Sequence, residues 1–403
     1  MRLSARRTSA ALLLIVPLAA APAAAATGSP SPQRASPAPL HRSANAVPGQ
    51  YIVTLKKDVD PAATAQQALP GVEPLFTYSS VLNGFAAQLT PDQLTAVRNL
   101  PDVEAVEEDG VASATPATET APTTARGRRV AAASWGLDRI DQPYLPLNQQ
   151  FNVAGTGKGA TVYVVDTGID YAHSEFGGRA AFGYDAMSDG RKGADCNGHG
   201  THVAGTVGGA NYGVAREASL VSVRVLGCDG RGTWSGIIAG LDWVGQNAKA
   251  GSVLNGSLGG SKNLAVNAAA NAVSDKGVVP AIAAGNDAVD ACGVSPASAE
   301  RVVTVGATDR FDQETDFSNY GTCLRLYAPG KAIVSAKLGG GGTALDGTSM
   351  ASPHVAGVAA LYKAKNPNAS SEQVATWLAE QATKDVLKVS KGSPNLLLHT
   401  GGL

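Results

Sequence analysis

The chain has 403 residues, room for roughly two or three domains at about 150 residues each. Its formal net charge is −1, which gives no reason to invoke nucleic acid or an anionic membrane as a partner. Charged residues are only 16%, below the ~25% of an average soluble chain, while glycine reaches 47 of 403, so tight turns and close backbone approaches are expected.

In chain order, "MRLSARRTSA" is a basic stretch, "ALLLIVPLAAA" a short apolar run and "APAAAA" a small-residue cleavage region. Residues 1–26 therefore read as a signal peptide, and the protein as secreted and extracellular. The apolar run is too short to span a bilayer and no other stretch is long enough, so no membrane is expected. Residues 27–47 are Pro/Ser/Ala-rich and read as disordered. "GQYIVTLKKDV" begins a small α+β unit, about 48–112, which closes on the strand "VEAVEED". Residues 113–131, Thr/Ala/Pro-rich and then basic, read as an exposed, cleavable linker.

From 132 to 403 the pattern becomes strand–helix alternation. "ATVYVVD", "SLVSVRVL", "GSVLNGSL", "VVPAIAAGN" and "RVVTVGA" are buried-strand runs, with "WSGIIAGLDWVGQNAKA" and "LAVNAAANAVSDKG" as helices among them. That alternation predicts one α/β domain with a mainly parallel sheet. Four cysteines in an exported chain read as two disulfides. Separations of 32 and 31 favour Cys196–Cys228 and Cys292–Cys323 as the local pairing.

Open parallel sheets carry function at the carboxyl ends of their strands. Asp166 in "VYVVDTGID" and Asn286 in "AIAAGN" fall at such ends. His199 in "NGHGTHVAGT" stands at a predicted helix start, and Ser349 in "DGTSMASPHVAG" precedes another helix, whose start Pro353 is expected to fix. A serine needs an imidazole to take its proton, and the imidazole a carboxylate to set its tautomer. Ser349 also reads as an ordinary helix cap. Likewise Cys196, His199 and His202 could be read as a zinc cluster, but their spacing is not that of a zincin. His202 and His354 read as packed structural residues.

"VVDTGID", "NGHGTHVAGT" and "DGTSMASPHVAG", in that order, resemble the three signatures of the subtilisin-like serine proteases, closest to the proteinase K-like branch. The resemblance covers nearly all of 132–403. It implies an α/β three-layer fold with a mainly parallel sheet. It also implies a serine endopeptidase in which Asp166 orients His199, His199 is general base and acid, and Ser349 is the nucleophile. Asn286 and the Ser349 backbone N–H would form the oxyanion hole, and catalysis would need no cofactor. Polypeptide substrates would lie between two edges, Gly230 and Gly232 on one side and Ser257, Leu258 and Gly259 on the other, with Trp234 covering a distal pocket. Ser257, Leu258, Gly259, Ala283, Ala284 and Gly285 would wall the first pocket, small and uncharged, favouring an apolar residue before the cut. Gly256 stands where the family usually has a bulkier residue, often Met.

Asp138, Asp141 and Gln142 share one helical face, with Asn148 beyond, and oxygen ligands so grouped suit a structural calcium, which related proteases bind there. A second calcium site of the family reads as broken: Arg325 occupies a position where proteinase K-like enzymes carry a calcium-binding Asp, and its guanidinium would repel the ion and could substitute for its charge. The 48–112 unit, with "YIVTL", "VLNGFAAQL" and "VEAVEED", resembles the inhibitory propeptides of the family, of ferredoxin-like α+β form. The expectation is a monomeric, self-processed zymogen. Two other classes remain open: a protease-like protein that captures peptides without cutting them, and a metal-dependent hydrolase.

Overall fold

The structure is a computed structural model describing residues 36–69, 71–114, 118–120, 133–389 and 392–403, the backbone alone at 118–120. The expected signal peptide, 1–26, and most of the expected linker, 113–131, lie outside the described residues.

β-Branched runs too apolar for a one-sided sheet need cover on both faces, and a parallel sheet provides it. Nine strands order as Thr383–Lys384, Leu396–Leu397, Leu326–Pro329, Val303–Thr308, Val279–Ala283, Ser252–Gly256, Thr161–Asp166, Ser219–Arg224 and Ala180–Asp185. Every neighbouring pair is parallel except the first. Thr161–Asp166 lies between Ser252–Gly256 and Ser219–Arg224, so strand order reverses there, and the crevice beyond such a point is where ligands bind in this architecture.

Alternation along Thr161–Asp166 divides the interior into two layers. Val162 and Val164 pack with helices His199–Gly208 and Thr348–Lys365, through Val203, Val207, Val355 and Val358. Tyr163 and Val165 face helices Trp234–Asn247 and Leu264–Asp275, through Ile237, Leu241, Val266 and Val273. Small residues in Thr348–Lys365 let it run buried through the first layer; a Cβ on Gly357 would stand 2.5 Å from Val214.

The N-terminal unit is built on four antiparallel strands, in the order Val103–Ala114, Ala46–Leu55, Gly84–Gln88, Phe76–Tyr78, with a short strand parallel to the first. One face holds helices Pro61–Ala68 and Pro91–Arg98 on Val53, Leu55, Phe85 and Val106. The other face, with Ile52, Tyr78 and Ala86, packs into the layer of Trp234–Asn247 and Leu264–Asp275. Residues 36–47 are ordered, contrary to the disorder expected for 27–47, of which 27–35 lie outside the described residues: Ala38 is buried, Leu40–His41 pairs with Val103–Ala114, and a strand starts at Ala46. Composition is blind to this, because a long neighbouring strand supplies the pairing. The closing strand likewise runs past 112 to Ala114, and Thr118–Thr120 forms a second strand within the expected linker.

Cys196 bonds Cys228 and Cys292 bonds Cys323. Closing loops of this size stabilises by about 3–4 kcal/mol each in the chain-entropy model. Replacing Cys292 and Cys323 together by Ser is expected to lower the melting temperature in calorimetry by roughly 6–16 °C, with the fold retained.

Candidate active site

The reversal point of the sheet sets the first residue. Asp166 is the last residue of its strand and fully buried. Its Oδ1 accepts from His199 Nδ1 at 2.8 Å and from the Thr167 N–H at 2.7 Å. His199 is the first residue of its helix, behind Gly198 at φ 108°. With no side chain on that cap, the free N–H groups of the first turn find acceptors elsewhere. His199 N–H donates to Asn197 Oδ1, Gly200 N–H to Thr167 Oγ1 and Thr201 N–H to Asp195 Oδ2.

Burial pulls the His199 imidazole toward neutrality, but the charge and hydrogen bond of Asp166, with the charge of Asp195, outweigh it and raise its pKa above 6.5. His199 Nε2, the nitrogen away from Asp166, is buried with no hydrogen-bond partner among the described residues. His202 and His354 behave differently. His202 Nε2 sits 3.1 Å from the Ile333 carbonyl, and burial lowers its pKa to about 3. His354 Nδ1 meets the Met350 carbonyl at 2.8 Å, and burial lowers its pKa to about 4.

Ser349 is the second residue of Thr348–Lys365. The helix begins next to Ser349, as expected, and Pro353 stands at its sixth position, in the second turn. Lacking an N–H, it leaves the carbonyl four residues back without an intrahelical donor. That carbonyl belongs to Ser349, and Ser257 Oγ donates to it at 2.9 Å. In return Ser349 Oγ donates to the Ser257 carbonyl at 3.2 Å, and Asn255 Nδ2 donates to Ser257 Oγ at 2.9 Å. The proline thus ties the serine to the end of strand Ser252–Gly256.

Asn286 is oriented from the same helix: its Oδ1 accepts from Thr348 N at 2.9 Å and Thr348 Oγ1 at 2.8 Å. The amide nitrogen is thereby turned toward Gly347, where an added Cβ would stand 3.1 Å from Nδ2. Asn319 fixes the loop that carries it. Its Nδ2 donates to the Ala284 carbonyl, and its Oδ1 accepts from Asp287 and Val289 N–H. Strands Ser252–Gly256 and Val279–Ala283 are parallel neighbours, so Ser257, Leu258 and Gly259 come out beside Ala283, Ala284 and Gly285. No charged side chain belongs to these six residues. A Cβ on Gly256 would meet Ile282 Cδ1 at 2.8 Å, and Gly256 lines a small apolar hollow with Val165, Leu254, Leu258 and Ile282. The departure at 256 therefore acts on packing behind Leu258.

The cleft is filled by the chain itself. Val103–Ala114 runs antiparallel to both edges: Val111, Ala112 and Ser113 oppose Thr233, Gly232 and Arg231, while Ser113 and Ala114 oppose Gly259 and Leu258. Ala114 N–H donates to the Gly230 carbonyl at 2.8 Å. Beyond it, Thr118–Thr120 pairs with Ala344, Leu345 and Asp346, just ahead of Ser349. Trp234 is fully buried; added Cβ atoms on Gly110 and Gly260 would stand 3.1 Å and 2.9 Å from its ring. Two carboxylates of the N-terminal unit cap the helices beneath. Glu107 accepts from Leu264 and Ala265 N–H, both at 2.9 Å, and Asp109 Oδ1 from Ser235 N–H at 3.0 Å.

Of the four residues expected to hold calcium, Asp138 has both carboxylate oxygens occupied by the N–H groups of Asn148 and Gln149. Asn148 Oδ1 accepts from Gln150 N–H. Asp141 Oδ1 and Gln142 Oε1 are buried with no partner among the described residues. No group of three or more His, Cys, Asp or Glu suited to a metal occurs among the described residues. Arg325 Nη2 donates to the Glu300 carbonyl at 3.1 Å. Sequence reasoning missed Asp195, Thr167, Thr348 and Asn319. Each sits within three residues of a motif residue, or meets it only in space, and no spacing marks it.

Two family models match: the subtilase family over residues 157–400 and peptidase inhibitor I9 over 50–114. The chain is 46% identical over 329 residues to an alkaline serine exoprotease A of Vibrio alginolyticus, covering 82% of this chain and 60% of that protein. It is 43% identical over 381 residues to an extracellular serine proteinase of Thermus sp. (strain Rt41A), covering 88% and 90%. A cold-adapted subtilisin-like serine proteinase of known crystal structure superposes with a TM-score of 0.65 at 49% identity, over 66% of this chain and 97% of that one. A buried carboxylate–imidazole pair, a serine at a helix start and an inhibitor domain in the cleft thus meet the matches on the same residues: the chain belongs to the subtilase family of serine proteases, with an I9 inhibitor domain at its N-terminal side.

Proposed function

We propose that the protein is a secreted endopeptidase of broad specificity, made as a zymogen that cuts itself free of its inhibitor domain. The observation that supports this most directly is the strand Val103–Ala114 paired with both Arg231–Thr233 and Leu258–Ser261. A cleft that binds an extended chain through main-chain hydrogen bonds accepts many sequences. Small, uncharged walls at Ser257, Leu258, Gly259, Ala283, Ala284 and Gly285 favour an apolar side chain before the scissile bond. Trp234, packed against the inhibitor strand, serves as the floor of a more distal pocket.

In the reaction, Ser349 Oγ leaves the Ser257 carbonyl, transfers its proton to His199 Nε2 and bonds to the scissile carbonyl carbon. Asp166 holds the imidazole through Nδ1 and stabilises it when charged. The oxyanion of the tetrahedral intermediate accepts from the Ser349 N–H and the Asn286 amide. His199 then returns the proton to the leaving amine, and water, activated in the same way, releases the acyl group from Ser349. No cofactor enters these steps.

A structural calcium is proposed at Asp141 Oδ1 and Gln142 Oε1, two buried oxygens of the expected set with no donor among the described residues. Asp138 shapes the loop for them by holding the N–H groups of Asn148 and Gln149. The ion would brace the 138–152 segment and take no part in peptide hydrolysis.

Three outcomes are expected. Intact mass of the wild-type chain should show loss of everything up to a cut between about 114 and 131, whereas Ser349→Ala should remain a proprotein and refuse a fluorophosphonate. Equal trimming of both would remove self-processing. Because neutral His199 is the base and its pKa is raised, kcat/KM should fall as pH drops through a value above 6.5, measured with a peptide anilide. A midpoint below 6.5 would contradict the raised imidazole. Chelation should lower the melting temperature while leaving kcat of the surviving enzyme unchanged, and Asp141→Asn should abolish that sensitivity.

A further inference from the structure

Asp195, four residues ahead of His199, takes no part in the steps above, yet it is only 8% exposed and carries five hydrogen bonds. Its Oδ1 accepts from Thr167 Oγ1 at 2.9 Å, Asn197 N–H at 2.9 Å and Gly198 N–H at 3.0 Å. Its Oδ2 accepts from Thr201 N–H at 2.9 Å and Thr201 Oγ1 at 2.6 Å.

These partners lie on the two segments that must be held together. Thr167 follows Asp166, and its hydroxyl, while donating to Asp195, accepts from the N–H of Gly200, the residue after His199. Thr201 Oγ1 in turn accepts from Asp170 N–H at 3.0 Å. Space reinforces the join: a Cβ on Gly200 would stand 2.2 Å from the Gly168 carbonyl, and one on Gly168 would stand 2.8 Å from Asp195 N. Gly198 offers the helix no cap of its own. An anion at that helix start does the capping and complements the helix dipole.

We propose that Asp195 is a positioning residue for His199: its carboxylate clamps the first turn of the histidine helix to the loop after Asp166 and so fixes the imidazole against its partner. This rests on the reading of Asp166, His199 and Ser349 as the reacting set. The clamp is also electrostatic. The charged and titratable groups acting on His199 are Asp166 at the strand end and Asp195 before the helix, with His202 one turn on and His354 beyond it, beside His202. Burial keeps both of those histidines neutral in the working range, with pKa values of about 3 and about 4. Asp195 is thus the second negative charge that favours protonated His199.

The test uses enzyme matured from the full chain and a peptide anilide across pH. Asp195→Asn keeps the size of the side chain but removes the charge and weakens the clamp. Its kcat should fall roughly 10- to 100-fold, the scale of a small misplacement of a catalytic group, with KM within about threefold. The acid limb should move to lower pH by on the order of half a unit, because losing a nearby negative charge lowers the imidazole pKa. Thr167→Val cuts the bridge but keeps the charge, so kcat should fall while the acid limb stays in place. Asp195→Glu should keep the wild-type limb. A wild-type kcat in either Asp195→Asn or Thr167→Val overturns the proposal, as does a reduced kcat in Asp195→Asn with its limb unmoved. Should Asp195→Asn fail to mature, Thr167→Val decides alone. Fluorophosphonate labelling of wild-type Ser349 and its loss in His199→Ala test the reacting set separately, so failure there is distinguishable from failure of the clamp.

Discussion

A helix begins with N–H groups that no residue of its own first turn can accept, and in this protein the answers to that need assemble the site. The helix His199–Gly208 takes its acceptors from Asn197, Thr167 and Asp195. Thr348–Lys365 takes Asn286, which turns the Asn286 amide toward Gly347. Trp234–Asn247 and Leu264–Asp275 take Asp109 and Glu107 from the inhibitor domain, beside their own caps Thr233 and Asn263. One unsatisfied valence, repeated four times, joins the carboxylate loop to the imidazole, the amide to the serine, and the inhibitor to the enzyme.

The caps lent by the inhibitor domain bear on folding. Parallel strands meet only through long crossovers, so their pairing must await closure of large loops. Glu107 and Asp109 hold the starts of the two helices that cover one face of the sheet, while Ile52, Tyr78 and Ala86 complete the layer beneath them. Burial pushes both carboxyls above their ordinary range, partly offset by the N–H bonds they accept. The domain that blocks the cleft therefore also supplies pieces of the core.

Pro353 shows how a missing donor can be as constructive as a present one. Read along the chain, it placed a helix start near Ser349, and the helix does begin at Thr348. In space it frees the Ser349 carbonyl for Ser257, so the nucleophile candidate and the segment at Ser257 are held by a reciprocal pair of hydrogen bonds at 2.9 Å and 3.2 Å. Asn255, Ser257, Ser349 and Ser352 form one buried polar network, with Ser352 Oγ donating to Asn255 Oδ1 at 2.9 Å. Buried polar groups are tolerable when each finds a partner.

The sequence by itself determined the strand–helix alternation and the places of Asp166, His199, Asn286 and Ser349 at element ends, because period and capping chemistry are local properties. Tertiary structure decided the rest. Asp195 and Asn319 act through partners 28 and 35 residues away, Thr167 and Ala284, and no spacing rule reaches that far. The strand Leu40–His41 exists because Val103–Ala114 offers it an edge, which a Pro/Ser/Ala-rich composition could not reveal. The calcium face read from helical spacing was altered in the same way. Asp138 lies on it as expected, but backbone N–H groups ten and eleven residues on take its oxygens, and folding alone brings those groups within reach.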